Sequence, residues 1–353
     1  MVLRFTPRIQ VEPFLFARGV IPMKAAVFGI NHNRSLVELR EKLAVRDSQL
    51  PNFLKGLTMQ FKEAVILSTC NRTEIYVSSF LEDDDAKIKE RLAKFFLNGQ
   101  HNNQELVNRF YFYSGIEATR HLLRVSSSLD SMVVGETQIL GQVKDAYQTA
   151  LDLKVTGKCL NRLFQTSFGV AKRIRTETDI ARGNHSVSSV ACLLASERLG
   201  SLQDKQVMII GAGKIGVVTL QHLAKKGIQA IFVGNRTFSK AEEMTKRFGG
   251  TALHLKDCFV KMAECDLIIC QTSSPHYVLK YENIPEERKR QQVFIDLAIP
   301  RDIEQRIAEL PGIFLYNIDS LQGIVDKTLE SREKDVHKAE AIIEEELQRN
   351  GWR

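Results

Sequence analysis

A thiol and a guanidinium lie two residues apart in the run Ser68-Thr-Cys-Asn-Arg-Thr-Glu-Ile-Tyr-Val77. A cysteine thiolate is a strong nucleophile toward acyl groups, and an arginine side chain is a fork that fits a carboxylate. Cys70 and Arg72 therefore favour acyl chemistry on an acidic substrate. Apolar stretches at 64–67 and 75–77 predict flanking strands, and loops at strand ends often carry chemistry. Taken alone, Cys70 fits equally well a small buried core residue in an ordinary hairpin.

A glycine-rich turn follows the apolar run Val207–Ile210 and precedes a helical pattern. The spacing Gly-x-Gly-x-x-Gly between a strand and a helix lets a pyrophosphate approach the backbone at the positive end of the helix. It predicts a dinucleotide site in a Rossmann-type domain, formed by Gly211, Ala212, Gly213, Lys214, Ile215 and Gly216.

The end of the next strand distinguishes between the two nicotinamide cofactors. An NAD site places an acidic residue there, about 20 residues beyond the glycines. Here the strand ends at Asn235, Arg236 and Thr237, with no acid. A guanidinium and a hydroxyl suit a 2′-phosphate, so we predict NADPH as the cofactor. The alternative is that Arg236 is only an exposed turn residue.

A third segment, from His121 to Tyr147, is dense in small and long polar side chains. Glycine costs about 1 kcal/mol relative to alanine inside a helix, so Gly135 and Gly141 indicate close approach of the backbone to a ligand. The alternative is a helix-turn-helix with a polar face. His121 alone fits a half-buried packing residue, but beside a nucleophile it fits a general acid or base.

Composition limits the class of protein. The chain has 353 residues, 44% of them hydrophobic and 26% charged, which is typical of a soluble protein of more than one domain. No apolar run approaches the roughly 18 residues of a membrane span. The net charge of +7 favours a polyanionic partner, although solubility alone also explains it. The six cysteines lack zinc-site spacing, which predicts no metal site and free thiols in a reducing, cytoplasmic compartment.

The periodicity of the chain predicts a multidomain α/β fold. The first part of the chain predicts an α+β catalytic domain. Its predicted elements are a strand at 24–30, helices at 36–45 and 86–97, the Cys70 hairpin, an aromatic strand at 110–113 and a continuous helical stretch from Ile116 to Arg175. After a boundary near 176–184 and a helix at 188–199, apolar strands at 207–210, 230–233, 267–270 and 293–296 alternate with helices. That alternation predicts a doubly wound parallel sheet.

The two ends of the chain differ from its middle. Residues 1–22 differ in character from the rest of the chain. We interpret them as a disordered leader or tail, since Met23 leads directly into the first strand. Residues 319–347 predict one long charged helix with a thin apolar stripe, which needs a surface to pack against. We therefore divide the chain into a leader at 1–22, a catalytic domain at 23–178, a Rossmann domain at 179–318 and a C-terminal helix at 319–353.

These motifs resemble the glutamyl-tRNA reductase family. The resemblance rests on the Ser68–Val77 run, on the block from Leu129 to Tyr147, and on the Rossmann turn followed by Asn-Arg-Thr. The opening Gly29-Ile-Asn-His32, the linker Arg173-Ile-Arg-Thr-Glu and the run Asp296-Leu-Ala-Ile-Pro-Arg-Asp302 also fit. The similarity extends from about Met23 to about residue 350.

The resemblance implies a complete reaction. Cys70 attacks the ester carbonyl of glutamyl-tRNA(Glu), tRNA leaves, and NADPH reduces the thioester to glutamate-1-semialdehyde, the first step of tetrapyrrole biosynthesis by the C5 pathway. It also implies that Arg72 holds the glutamyl carboxylate and that His121 takes part in catalysis. Substrate contacts are implied for Thr69, Cys70, Asn71, Arg72, Ser131, Glu136, Thr137, Gln138 and Gln142.

Two further expectations come with the resemblance. A free thiol, with a pKa of about 8.5, is mostly protonated at neutral pH, so we expect local activation of Cys70, with His121 and Arg72 as its candidate sources. The family's next enzyme, glutamate-1-semialdehyde aminomutase, is the expected protein partner.

The sequence departs from the family pattern at three places. Ser126-Ser-Ser128 replaces a small-residue-plus-Gly step, and Thr137 stands where proline is usual. Family members also continue past the long helix into a helical dimerisation domain, whereas this sequence stops at Arg353. We therefore expect that domain to be missing, which puts a family-type V-shaped homodimer in doubt.

Two other functions compete with this interpretation. One is an NADP-dependent reductase of a small, shikimate-like acid, which has no need of the Cys70 hairpin. The other is a tRNA- or cofactor-binding homologue without activity, which has no chemical need for Cys70, Arg72 and His121 together.

Overall fold

Two sheets with their own helices make up the described part of the chain. The computed structural model describes residues 23–97, 104–181, 187–225, 227–228, 231–288, 291–321 and 333–349, without the side chains of Lys214 and Lys225. The predictions for the leader at 1–22, for positions 322–332 of the C-terminal helix and for residues 350–353 lie outside these ranges.

The first sheet contains β1 (Met23–Asn31), β2 (Ala64–Ser68), β3 (Arg72–Phe80) and β4 (Tyr111–Ser114). Its order is β2-β3-β1-β4, and all neighbouring strands are antiparallel. β1 and β3 are buried along almost their whole length because the sheet is covered on both faces. The register sets Asn31 opposite Arg72 and Gly29 opposite Glu74.

The helices that the structure describes between residues 37 and 177 accompany this sheet and confirm the predicted α+β arrangement. The predicted helices at 36–45 and 86–97 correspond to α1 and α3. The helices are α1 (Val37–Leu43), α2 (Leu50–Thr58), α3 (Asp85–Phe96), α4 (Gln104–Asn108), α5 (Ile116–Ser126), α6 (Gln138–Asp152) and α7 (Lys158–Glu177).

The continuous helical stretch predicted from Ile116 to Arg175 is wrong, because turns interrupt it at 127–137 and 153–157. Ser128 and Gly135 both adopt positive φ angles, of 63° and 84°, which no helix accommodates. The backbone closes on itself there, since the Gly135 N–H donates to the Ser128 carbonyl at 3.1 Å. These turns bring the polar segment next to the Cys70 loop.

The second sheet is parallel and confirms the doubly wound prediction. Its order is β10-β9-β8-β5-β6-β7, the arrangement of a Rossmann fold. Three of its inner strands are short, fully buried and mostly apolar, because helices cover both faces. The strands of this sheet are β5 (Val207–Ile210), β6 (Ile231–Asn235), β7 (Thr251–His254), β8 (Leu267–Cys270), β9 (Gln292–Asp296) and β10 (Ile313–Asn317), with helices α8 (Val187–Leu199), α9 (Lys214–Lys225), α10 (Phe238–Phe248) and α11 (Leu255–Lys261).

The last helix, α12 (Glu333–Arg349), packs on α5 and α7. Its apolar stripe forms a small core with Leu123, Val170 and Ile174, so the expected packing surface is the catalytic domain. The predicted start of this helix at Asp319 is wrong, because Ile318–Leu321 is a 3-10 turn. The buried stripe residues of α12 are Ala339, Ile342, Ile343 and Leu347.

Arginine–glutamate pairs border this small core. Arg120 Nε lies 2.7 Å from Glu344 Oε1, and Arg173 Nη2 lies 2.7 Å from Glu345 Oε2.

Within the described ranges, no helix combines the length and the apolar character that crossing a bilayer requires.

Candidate active site

The loop that carries Cys70 is a tight turn between β2 and β3. The Thr69 hydroxyl accepts hydrogen bonds from the N–H groups of Asn71 and Arg72, each at 3.2 Å. Such a turn is what a threonine side chain stabilises locally. The Asn71 carbonyl accepts from the His32 N–H at 2.9 Å, which ties the loop to the end of β1. These contacts hold Cys70 in a fixed place, partly exposed, at the edge of the sheet.

Cys70 opens into a pocket that both sheets line. The catalytic side contributes the Cys70 loop and the start of α6, and the Rossmann side contributes Ile215 and Leu297. The Asn71 Oδ1 oxygen is buried and has no hydrogen-bond partner among the described residues. A buried polar atom without a partner is rare and is commonly satisfied by a bound molecule. The pocket is lined by Thr69, Cys70, Asn71, Arg72, Ser131, Glu136, Gln138, Ile139, Gln142, Val187, Ile215, Leu297 and Ile318.

The pocket changes the proton affinity of its two acidic groups. Burial raises the pKa of the Cys70 thiol to about 12, and the negative charge of Glu136 adds to this effect. Arg40 and Arg72 act in the opposite direction but are outweighed. Burial also raises the pKa of the Glu136 carboxyl to about 7. At neutral pH, therefore, Cys70 carries its proton and Glu136 is divided between its two protonation states.

Arg72 is engaged by two carboxylates. Its side chain is 1% exposed, and Nη1 lies 2.7 Å from Glu74 Oε1 and 2.9 Å from Asp130 Oδ2. Its Nη2 also donates to the Asp130 carbonyl. Gly29 makes room for this arrangement, since a Cβ there would lie 2.7 Å from Glu74 Cγ.

Glu74 links the arginine to His121. Its fully buried carboxylate accepts from Arg72, from Tyr76 at 2.6 Å and from Tyr111, and contacts His121 Nε2 at 2.8 Å. Burial alone would raise its pKa, but Arg72 and His121 hold the pKa well below its usual range. An ionised Glu74 requires His121 to donate through Nε2.

His121 faces a second pocket, which Asp130 also lines. Its ring lies 5.0 Å from the Tyr111 ring and 5.2 Å from the Tyr113 ring. This pocket is open and polar, and His121 is absent from the residues that line the Cys70 pocket. It is lined by Asn31, Asn33, Arg34, Tyr111, Tyr113, Glu117, Arg120, His121, Arg124 and Asp130.

The glycine turn between β5 and α9 has the geometry that a pyrophosphate needs. Gly211 has a φ of 115°, and a Cβ there would lie 2.6 Å from the Gln271 carbonyl oxygen. A Cβ at Gly216 would lie 2.4 Å from the Gly211 carbonyl oxygen, so neither position accepts a side chain. Gly213, by contrast, faces open space at the start of α9. A phosphate can therefore reach the backbone there.

The end of β6 presents polar groups beside this turn. Arg236 and Thr237 are exposed, and Asn235 Nδ2 donates to the Thr237 carbonyl at 3.0 Å. The Asn235 amide thus stabilises the turn through this hydrogen bond, while the Arg236 side chain is exposed to solvent. Among the described residues, no group of three or more His, Cys, Asp or Glu side chains is arranged to hold a metal ion.

Comparison with known proteins agrees with this two-part site. Residues 28–178 match the family model for the N-terminal domain of glutamyl-tRNA(Glu) reductase, and residues 193–324 match that for shikimate/quinate 5-dehydrogenase. The chain is 44% identical over 331 residues to glutamyl-tRNA reductase of Carboxydothermus hydrogenoformans, covering 92% of this chain and 73% of that protein. The chain belongs to the glutamyl-tRNA reductase family. It is thus an oxidoreductase whose cofactor domain is of a pyridine-nucleotide-dependent type.

Two further glutamyl-tRNA reductases give the extent of the similarity. The protein of Geotalea daltonii is 42% identical over 334 residues, which cover 92% of this chain and 76% of that protein. The solved structure of glutamyl-tRNA reductase from Methanopyrus kandleri is 33% identical with a TM-score of 0.50, covering 92% of this chain and 78% of that one.

Most of the substrate contacts expected of a glutamyl-tRNA reductase come together around Cys70. Eight of them line the pocket, including Gln138 and Gln142 from the first turns of α6. Thr137 lies outside it: its side chain is exposed, and its carbonyl accepts from Arg175 at 3.2 Å. His121 also lies outside it, in the second pocket.

The expected activation of Cys70 by His121 or Arg72 needs correction. His121 contacts Glu74 instead of the thiol, and the charge of Arg72 is too weak to offset burial and Glu136. Sequence reasoning also missed Glu74 and Asp130. The alternation Arg72-x-Glu74-x-Tyr76 was the available signal for Glu74, because alternate residues of a strand share a face.

Proposed function

We propose that this protein reduces glutamyl-tRNA(Glu) to glutamate-1-semialdehyde with NADPH, through a thioester on Cys70, as the first step of tetrapyrrole biosynthesis by the C5 pathway. The observation that carries the proposal is the pocket in which Cys70 and Arg72 meet Ile215 of the glycine turn. A nucleophile of one domain thus lies beside the cofactor turn of the other. Family membership supports the acyl-tRNA as substrate.

In the first step the Cys70 sulfur attacks the ester carbonyl of the glutamyl group. The new C–S bond forms, the C–O bond to the tRNA ribose breaks, and tRNA leaves as its ribose hydroxyl, whose oxygen takes up the proton that the thiol has lost. The thiol must lose its proton for this attack, since its pKa is about 12. Glu136 lines the same pocket and has a pKa of about 7, so its carboxylate is our candidate acceptor.

The glutamyl side chain is recognised at the Arg72 end of the pocket. Arg72 already forms ion pairs with Glu74 and Asp130, so a third carboxylate can bind Arg72 only if it displaces one of them. Asp130 is the partner that can do so, because its side chain is 21% exposed whereas Glu74 is 0% exposed. We expect the substrate carboxylate to take the place of Asp130, with Asn71 completing its hydrogen bonds.

In the second step a hydride adds to the thioester carbonyl carbon, the C–S bond breaks, and the Cys70 thiolate that leaves takes up a proton from solvent to restore the thiol. When bound, NADPH supplies the hydride for this step. Gly213 fits its pyrophosphate because it leaves the backbone open to close approach, and Gly211 and Gly216 allow the tight packing of the turn. Arg236 and Thr237 are exposed and are our candidates to bind a 2′-phosphate. The fit of these residues supports NADPH over NADH, which would need an acid in their place.

Two macromolecular partners follow from this chemistry. The net charge of +7 suits the phosphates of tRNA. The aldehyde product is reactive, and glutamate-1-semialdehyde aminomutase is the enzyme proposed to receive it.

A single-turnover reaction tests the proposal. Purified protein is mixed with glutamyl-tRNA labelled in the glutamate, with and without NADPH, and protein-bound label and free aldehyde are separated. We expect label on the protein without NADPH, its release as aldehyde once NADPH is added, and no protein-bound label in Cys70→Ser. Cys159→Ser, which removes another partly exposed thiol, is the matched control and should behave as wild type.

Two outcomes would reject the thioester mechanism. One is undiminished aldehyde production by Cys70→Ser. The other is label that remains on the tRNA under both conditions in the wild-type protein, which would favour a binding homologue. Oxidation of NADPH with a free shikimate-like acid in place of the tRNA would point to the small-acid reductase.

A further inference from the structure

A buried arginine connects the nucleophile loop with the Rossmann domain. Arg40, on α1, is 2% exposed, and its guanidinium reaches three segments of the chain. Nε donates to the Cys70 carbonyl at 3.2 Å, and Nη1 donates to the Ser35 carbonyl at 2.6 Å. Nη2 donates to Asp319 Oδ1 at 2.5 Å. Arg40 thus contacts both the backbone of Cys70 and the carboxylate of Asp319, which follows β10.

Asp319 holds α1 with its second oxygen as well. Its Oδ2 accepts from the Val37 N–H at 3.0 Å, at the first turn of α1. A carboxylate at a helix N-terminus is a favourable contact. Val37 itself is buried in the apolar cluster of the Rossmann domain, together with Leu297, Ile318 and Leu321. The start of α1 is therefore part of the core of the other domain.

A second ionic contact joins the same helix to the same domain. Arg301 follows β9, and its backbone N–H and Nε donate to Glu41 Oε1 at 2.5 and 2.9 Å. Its Nη1 donates to Glu38 Oε1 at 3.2 Å. The side chains of Arg301 and Glu41 are only 12% and 16% exposed, so water screens this pair weakly.

The two contacts lie next to the cofactor-side wall of the Cys70 pocket. Leu297 and Ile318 line that wall, four residues before Arg301 and one residue before Asp319. The ion-pair residues and the wall residues belong to the same short segments, so the ion pairs also hold the wall residues in place. Arg40 fixes the opposite side through the Cys70 carbonyl.

We propose that Arg40–Asp319 and Glu41–Arg301 form an interdomain clamp that sets the distance between Cys70 and the cofactor, and so serves reduction of the thioester more than its formation. The inference rests on the proposed function. Attack by Cys70 uses groups of the catalytic domain, whereas hydride transfer joins atoms held by different domains. Reacting atoms must come within about 3–3.5 Å, and a 1 Å displacement costs about 100-fold in rate. These four residues are positioning residues in this scheme.

The test separates the two steps in Asp319→Asn, which keeps the shape of the side chain and removes its charge. We expect thioester formation without NADPH within about twofold of wild type and NADPH affinity within about twofold. Release of aldehyde from the preformed thioester should slow about 10- to 100-fold. Glu264→Gln, an exposed carboxylate of the same domain paired with Lys261 at 2.6 Å, is the control and should leave both steps unchanged.

The second pair supplies an independent variant. Arg301→Glu should reproduce the selective loss of reduction, and the charge exchange Glu41→Arg with Arg301→Glu should restore part of the rate. A merely structural role of Arg301 would leave the exchange as slow as the single variant. Equal slowing of both steps in Asp319→Asn and Arg301→Glu, or no slowing in either, would overturn the clamp.

A measurement without substrate keeps the clamp separate from the proposed function. The native cysteines are replaced by serine, and Lys55→Cys in the catalytic domain and Lys246→Cys in the Rossmann domain carry the spin labels. The labels report the distance between the two domains. We expect one narrow distance distribution in the charge-exchange protein and a broader one in Arg301→Glu. Unchanged distributions would overturn the clamp even if the wild-type protein formed no thioester, a result that would reject only the proposed function.

Discussion

At the residue scale, Cys70 and Glu136 are two acidic groups that oppose each other's ionisation. Burial raises the pKa of both, to about 12 for the thiol and about 7 for the carboxyl. A negative charge on Glu136 further disfavours the thiolate. In the proposed attack, a proton that moves from Cys70 to Glu136 removes this repulsion while it creates the thiolate, and Glu136 then passes that proton to the leaving tRNA oxygen.

Glu136→Gln separates the two roles of that carboxylate. Loss of its charge lowers the pKa of Cys70, so the pH midpoint for alkylation by iodoacetamide should move down. Loss of the proton acceptor should slow thioester formation about 100-fold. Parallel changes of the two rates would contradict the proposed proton transfer. Gln142→Asn, which shortens a neutral residue of the same pocket, should leave the alkylation midpoint in place.

Arg236 provides a test of the cofactor at the same scale. Arg236→Ala should weaken NADPH binding about 10-fold or more and leave NADH binding within about twofold, since a hydrogen bond to a charged group contributes about 1.5–3 kcal/mol. Fluorescence titration with both cofactors measures this. An equal loss with NADH and NADPH would show that Arg236 does not contact the 2′-phosphate. Arg247→Ala, at the far end of α10, is the control.

At the scale of elements, one buried carboxylate organises the start of α7. Glu63 precedes β2, and it accepts from the N–H groups of Gly157 at 2.9 Å, Cys159 at 3.1 Å and Leu160 at 2.7 Å. These are the groups that a helix leaves unpaired at its N-terminus. Gly157 fits this contact, because a Cβ there would lie 2.9 Å from Glu63 Oε1.

Glu63→Ala should therefore destabilise the catalytic domain. Three buried N–H groups would lose their acceptor, and we expect the free energy of unfolding to fall by about 2–3 kcal/mol. Urea unfolding followed by circular dichroism measures it. Glu105→Ala, which removes an exposed partner of Arg109 at 3.6 Å, should change it by less than about 0.5 kcal/mol. Similar effects of the two variants would show that Glu63 does not stabilise α7.

At the scale of the whole molecule, the proposed association with tRNA should depend on net charge. The chain has 49 lysines and arginines against 42 acidic residues. Binding that neutralises about six phosphates loses about 10³-fold in affinity between 50 and 200 mM salt. We expect fluorescence anisotropy with labelled tRNA(Glu) to show such a decline. A logarithmic slope shallower than about −1 would mean that phosphates contribute little to binding.

Much of the fold is determined by local sequence. Strand and helix positions follow from hydrophobic periodicity, and the doubly wound sheet follows from continuous apolar strands alternating with helices. The helix break at 127–137 was missed because the serines and glycines there also fit an amphipathic helix. Only the positive φ angles of Ser128 and Gly135 reveal the turn.

The sequence by itself determined the candidate nucleophile, the glycine turn and most of the side chains around them, because these depend on residue type and short spacing. The tertiary structure alone decided which charges meet. Arg72 pairs with Asp130, 58 positions away, and Arg40 pairs with Asp319, 279 positions away. It also set His121 against Glu74 and not against Cys70. Buried charges take their partners from whatever the packed elements bring within hydrogen-bonding distance, and no local pattern encodes that choice.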